Sequence, residues 1–77
     1  MTARLDGGWL VVPYAGPALA PCHIATGTRG PGEWQPAFKA VRGGQRVLQV
    51  RPPASSGPVR VWVKISGAVT AAGQVTL

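Results

Sequence analysis

The sequence has little of what catalytic, metal-binding or disulfide-stapled domains use. It holds one cysteine, Cys22, which excludes an internal disulfide framework and any zinc site built on cysteine pairs. Its only acids are Asp6 and Glu33 and its only histidine is His23, so a carboxylate pair for acid–base work has little to draw on. No apolar run approaches the roughly 18 residues that a transmembrane helix requires. The opening Met1-Thr2-Ala3-Arg4-Leu5-Asp6 turns polar and then glycine-rich, so no signal peptide is read there. No two basic residues are adjacent, which argues against a nucleic-acid-binding tail or arm. Asparagine is missing altogether, and with the heavy use of Ala, Val, Gly, Pro and Arg this fits a GC-rich genome.

What is present is modest in size and basic. The 77 residues allow one domain spanning 1–77. A chain of that length buries only about 60–65% of its unfolded surface. Leu, Ile, Val and Phe supply 18 residues against 19 of Gly plus Pro, so the core is thin. A thin core without covalent staples gains stability by oligomerising or by docking on a larger body. The net charge of +6 is spread over single bases, Arg4, Arg29, Lys39, Arg42, Arg46, Arg51, Arg60 and Lys64. It favours an acidic partner surface.

No window carries an apolar 3.6-residue period, and Pro or Gly interrupts nearly every ten residues. Short runs of Val, Trp, Ile and Thr between turn clusters predict an all-β fold. The expectation is a small single-domain β-sandwich or barrel, immunoglobulin-like, with strands at 4–5, 9–12, 22–26, 36–41, 46–51, 59–66 and 74–77. Residues 1–8 read as an N-terminal arm, and 13–21 and 27–36 as extended Pro/Gly-rich loops. The plainest strand is Val59-Arg60-Val61-Trp62-Val63-Lys64-Ile65. Its alternation puts the four aliphatic residues on a core face and Arg60, Trp62 and Lys64 on the other. Before it, Gly43-Gly44 marks a hairpin. A two-residue turn would set Phe38 opposite Gln49 and Lys39 opposite Leu48, mixing the faces. The apolar pattern instead favours a three-residue loop, Arg42-Gly43-Gly44, with Phe38 opposite Leu48.

Chemistry-bearing constellations are sparse. Cys22 and His23 are neighbours, and neighbours on a strand point to opposite faces, so a thiolate–imidazolium pair is not expected. Cys22 reads as a small buried hydrophobe. Cys22, His23, Asp6 and Glu33 have no metal-ligand spacing. Gly7-Gly8 and Gly43-Gly44 lack the lysine and helix of a phosphate cradle. No enzyme, metal site or cofactor is expected. The candidate site is a docking face: Trp62 between Arg60 and Lys64, joined by Trp34 and Arg29 from the 27–36 loop. Trp and Arg are the residues most enriched at interface hot spots. Stacking of single-stranded nucleic acid on the same face is the weaker alternative, because such platforms carry several aromatics.

The block Glu33-Trp34-Gln35-Pro36-Ala37-Phe38, then Gly57-Pro58-Val59-Arg60-Val61-Trp62-Val63-Lys64-Ile65 and the ending Ala72-Gly73-Gln74-Val75-Thr76-Leu77, resembles small β-sandwich virion proteins of tailed phages of actinobacteria. The similarity covers residues 33–77. Residues 66–72 read as a small, uncharged connection where that family suggests acidic turn residues. The resemblance implies a non-enzymatic virion protein, assembled in the host cytoplasm, that contacts the major capsid protein or other virion subunits in many copies. A capsid decoration or cement role is the first expectation, and a tail or head–tail connector accessory role the second.

Overall fold

Three two-residue turns organise the chain. Gly7–Gly8, Gly43–Gly44 and Ser66–Gly67 each place both residues at positive φ (57° and 81°, 57° and 79°, 49° and 86°). That conformation matches the right-handed twist of paired strands and makes each turn a tight hairpin. The computed structural model describes residues 2–77, and all its regular elements are strands. They are β1 (Arg4–Asp6), β2 (Trp9–Pro13), β3 (Cys22–Gly27), β4 (Gln35–Pro36), β5 (Phe38–Arg42), β6 (Gln45–Val50), β7 (Pro58–Ile65) and β8 (Ala68–Thr76).

They form two antiparallel four-stranded sheets, β1-β2-β6-β5 and β4-β3-β7-β8, packed as a small sandwich. The chain crosses between the sheets at Ala37, whose N–H donates to the Cys22 carbonyl at 2.9 Å. At the opposite border the Ala3 N–H donates to the Ala72 carbonyl at 2.8 Å, joining the β1 and β8 margins. The core lies between the sheets: Leu10, Val12, Leu48 and Val50 from one, Ile24, Val61, Val63 and Ala72 from the other, with Tyr14 and Cys22 at one end. Full burial of each such aliphatic side chain favours folding by roughly 1.5–3 kcal/mol.

The all-β expectation holds, and so does the inner face of β7. Val59, Val61 and Val63 are buried, and Ile65 packs half-buried at the rim. Five other expectations are corrected. Gly43–Gly44 is the two-residue turn after all, so Phe38 pairs with Gln49 and Lys39 with Leu48. Those faces mix because β5 is an edge strand that runs past its cover: Val41 and Phe38 are both exposed, so burial never imposes the apolar register. The strand expected at 4–5 is present as β1, but the Gly7–Gly8 turn folds it back onto β2, so this stretch is part of the first sheet and not an arm. Met1 lies outside the described residues. Residues 66–72 are a hairpin turn running straight into β8, the longest strand. The expected strand at 36–41 is split by the crossing at Ala37 into β4 and β5, and the loops on either side of β3 are shorter because Pro13 and Gln35–Pro36 belong to strands.

Candidate docking surface

The face of the second sheet turned away from the core is built by β3, β7 and β8. In register across it, Trp62 lies between Ala25 and Ala71, Lys64 between His23 and Val69, and Arg60 between Gly27 and Gln74. The pleat puts these residues outward because their neighbours Val61 and Val63 point in. Small residues on both sides of Trp62 give the indole a flat bed. Ala25 sits on this outer face and is still only 2% exposed, consistent with a broad ring lying across it. Trp62 itself stays half-buried.

Between Arg60 and Trp62 the β7–β8 register shifts, with Gly73 at φ 86° on the β8 side. Such a bulge interrupts the ladder and bends the strand. Beside it lies a shallow depression of about 330 Å³ lined by Arg60, Val61, Trp62, Ala71, Gly73 and Gln74. An apolar ring at the border of a shallow hollow, with a cation on each side, is a shape suited to a protruding partner residue with acidic neighbours.

Trp34 reaches the same face from the β3–β4 loop. That loop doubles back tightly: the Gly32 N–H donates to the Thr26 carbonyl at 3.0 Å. A Cβ on Gly27 would lie 1.9 Å from the Gly30 carbonyl oxygen, so only glycine fits there. The returning chain pairs Gln35 with Ile24. This leaves the Trp34 ring 4.6 Å from the Lys64 Nζ, a cation–π contact. Of the five residues expected in the site, Arg60, Trp62 and Lys64 therefore share one face and Trp34 touches Lys64. Arg29 is exposed on the loop and, among the described residues, forms no hydrogen bond or ion pair.

Sequence reasoning missed two clusters. The outer face of the first sheet carries Trp9 and Phe38, edge to face with centroids 6.3 Å apart. Arg51 stacks on Trp9 at 3.7 Å and donates from Nη1 to the Gly8 carbonyl at 3.1 Å. Arg42 pairs with Asp6 at 3.2 Å and donates from Nε to Gln49 at 3.1 Å. The available signal was the Gly43–Gly44 turn, whose two-residue register puts Phe38 on the Trp9 side.

The second missed cluster surrounds Tyr14. It is buried, its hydroxyl donates to the Pro17 carbonyl, and Arg46 lies 5.2 Å over its ring while donating to the Gly16 carbonyl. Burial, reinforced by the Cys22 thiol, holds the Tyr14 phenol above its ordinary value, and the Arg46 guanidinium opposes that shift.

Cys22 is in the core with Sγ donating to the Ala20 carbonyl at 3.3 Å, while His23 faces outward from the adjacent position. The two do not converge. Searches of family models, curated proteins and solved structures gave no match to this chain.

Proposed function

We propose that the protein acts by binding, as a structural module that docks in many copies on a larger assembly through the outer face of its second sheet. The observation that carries this reading is Trp62, a half-buried indole on a bed of small residues, bordered by Arg60 and Lys64 and by a shallow hollow. A rigid aromatic between cations has the composition of an interface hot spot, and a chain of net charge +6 is drawn to acidic surfaces.

The resemblance of residues 33–77 to virion proteins gives the docking partner a class. The shell is a tailed-phage capsid, and the module is a cement or decoration protein that adds buried area where shell subunits meet. A tail or connector position uses the same face and differs in copy number. Stacking of single-stranded nucleic acid fits less well, because Lys64 already lies over Trp34 and Trp62 is then the one uncovered indole on this face, where such platforms carry several aromatics.

The test is quantitative mass spectrometry of purified virions, combined with reloading of stripped particles. Hundreds of copies per particle support a shell position, about five to twelve a connector, and intermediate multiples a tail. Trp62→Ala should remain folded yet lose about 2 kcal/mol of binding per site, roughly thirtyfold. Normal loading by folded Trp62→Ala would make this face the solvent side of a sheet and sink the proposal.

A further inference from the structure

The connection from β2 to β3 is made almost wholly of alanine, proline and one leucine. Residues 15–21, Ala-Gly-Pro-Ala-Leu-Ala-Pro, carry no charge and no polar side chain. Pro17 to Ala20 form a β-turn, closed by the Ala20 N–H donating to the Pro17 carbonyl at 3.4 Å, with Ala18 and Leu19 at its corners. Gly, Asn, Asp and Ser are the usual residues of such turns. Here Leu19 stands 95% exposed, more than any other large apolar side chain among the described residues. Ala15, Pro17, Ala18 and Pro21 are exposed around it.

A single exposed leucine is ordinary in itself. This one sits on a loop that is tied down along its length. The Tyr14 hydroxyl donates to the Pro17 carbonyl, and Arg46 donates from Nη2 to the Gly16 carbonyl at 2.7 Å. The Cys22 Sγ donates to the Ala20 carbonyl at 3.3 Å, and the Ser66 N–H to the Pro21 carbonyl at 2.9 Å. Gly16 lies against the Tyr14 ring, where a Cβ would come within 2.6 Å. Four of the seven loop carbonyls, those of Gly16, Pro17, Ala20 and Pro21, thus have partners inside the molecule. Pro17 and Pro21 have no N–H to satisfy. Backbone polar groups that leave water must be paired. A loop that stays in water needs no such provision, whereas one that enters a dry apolar surrounding does.

We propose that this turn is a preformed knob that inserts Leu19 into an apolar socket on a protein partner, with acidic residues at the socket's border. Other occupants fit worse. A lipid surface asks for more: even a myristoyl chain alone gives marginal, reversible binding, and a leucine side chain is a fraction of its size. Single-stranded nucleic acid is held by aromatic stacking, which this aliphatic tip does not offer. A second copy brings the same net charge of +6. The charge around the knob suits an acidic neighbour. Arg46 is bonded to the loop itself, and Lys64 lies opposite His23, one residue into β3. The only acids, Asp6 and Glu33, stand before the β1–β2 turn and in the β3–β4 loop, at the far ends of the two strands that this loop joins. The prolines and the internal hydrogen bonds also order the loop before it binds, which lowers the cost of binding.

The knob borders the docking face. Pro21 is held by Ser66, just beyond the end of β7, so the loop meets the second sheet at the Lys64 end of that face. That its socket belongs to the same particle rests on the docking reading, while the knob rests on the loop alone.

Reloading of stripped particles tests it, with wild type, Leu19→Ala, Leu19→Met and Trp62→Ala compared and folding checked by thermal unfolding. Leu19 is in solvent, so both of its variants should unfold as wild type does. Leu19→Ala should load about tenfold or more weakly, as expected from the loss of a fully buried leucine. Leu19→Met keeps the apolar volume and should load close to wild type. A folded Leu19→Ala that loads normally overturns the knob, and poor loading of Trp62→Ala in the same series leaves the docking face standing. Poor loading of Leu19→Ala beside normal loading of Trp62→Ala supports the knob and rejects the face. Equal losses in Leu19→Ala and Leu19→Met overturn the apolar socket. Wild type that does not load at all overturns both readings. Vesicles of equal parts phosphatidylcholine and phosphatidylglycerol provide the remaining arm: Leu19-dependent co-sedimentation with them overturns the protein socket in favour of a lipid surface.

Discussion

The guanidinium of Arg51 lies flat over the indole of Trp9, 3.7 Å from its centroid, on the side of the sandwich opposite Trp62. It also donates to the carbonyl of Gly8, in the turn that returns β1 to β2. Arg51 follows the last residue of β6, so this one side chain ties the end of β6 to the β1–β2 hairpin.

Arg51→Ala should therefore destabilise the fold by about 1 kcal/mol, the sum expected of a partly exposed cation–π contact and one hydrogen bond. Arg4→Ala is the matched control. Its 4.0 Å contact with Asp6 is solvent-exposed, and the change should stay within about 0.5 kcal/mol. Urea denaturation followed by tryptophan fluorescence separates the two. Equal effects would deny Arg51 its clamping role.

Gly27→Ala should cost about 2–3 kcal/mol or move the β3–β4 loop, because the new methyl meets the Gly30 carbonyl oxygen at 1.9 Å, a backbone atom that cannot swing aside. Gly30→Ala has open space around it and should be nearly neutral. The loop carries Trp34 to Lys64, so a folded Gly27→Ala should also show altered indole fluorescence. Equal stability of the two variants, by thermal unfolding, would contradict the tight return of the loop.

Cys22→Ala should lose only about 1 kcal/mol and leave particle loading intact, since the thiol is a packed core group whose one hydrogen bond goes to Ala20. Thiol-blocking reagents should react slowly with the native protein and quickly in denaturant. Loss of loading by a folded Cys22→Ala would give this residue a role that its burial does not suggest.

Tyr14 gives the stability an alkaline limit. Its phenol is held above the ordinary value of 10.0, chiefly by burial. The folded state thus favours the proton more than the unfolded state does. That contribution is fully present below the unfolded value and is lost as pH rises through the raised folded one. Tyr14 is the only tyrosine, so phenolate absorbance reports it alone. Ionisation in the folded protein should lie above that of the denatured chain, with stability falling as pH rises through it. Tyr14→Phe should remove the ionisation-linked loss while giving up the hydrogen bond to Pro17. An unshifted titration in the folded protein would refute the buried placement.

The alternation of Val59, Val61 and Val63 with Arg60, Trp62 and Lys64 was decisive at the sequence level, because a central strand with one buried face admits one orientation only. The same logic separated Cys22 from His23. It also made Trp62 an outward residue, so most of the proposed docking face was legible in the sequence. Trp34 was legible as a loop residue, but its contact with Lys64 depends on the tight return at Gly27, which only the folded backbone reveals.

The remaining features were decided by tertiary structure. Phe38 follows Trp9 and not Leu48 because β5 overhangs the sandwich, where burial no longer selects a register and the turn geometry of Gly43–Gly44 does. Only the 74–77 end of β8 is read as strand from the sequence, because the alanines, glycine and threonine before it carry little hydrophobic contrast. The full strand exists because β7 offers a full ladder and Ser66–Gly67 closes the hairpin. The sequence by itself determined the fold class, the inner face of β7 and the outward Trp62, since those follow from burial alternating along a single strand. Which margins pair, which loops return and which aromatics meet depend on contacts between distant segments, and those are settled only when the two sheets pack.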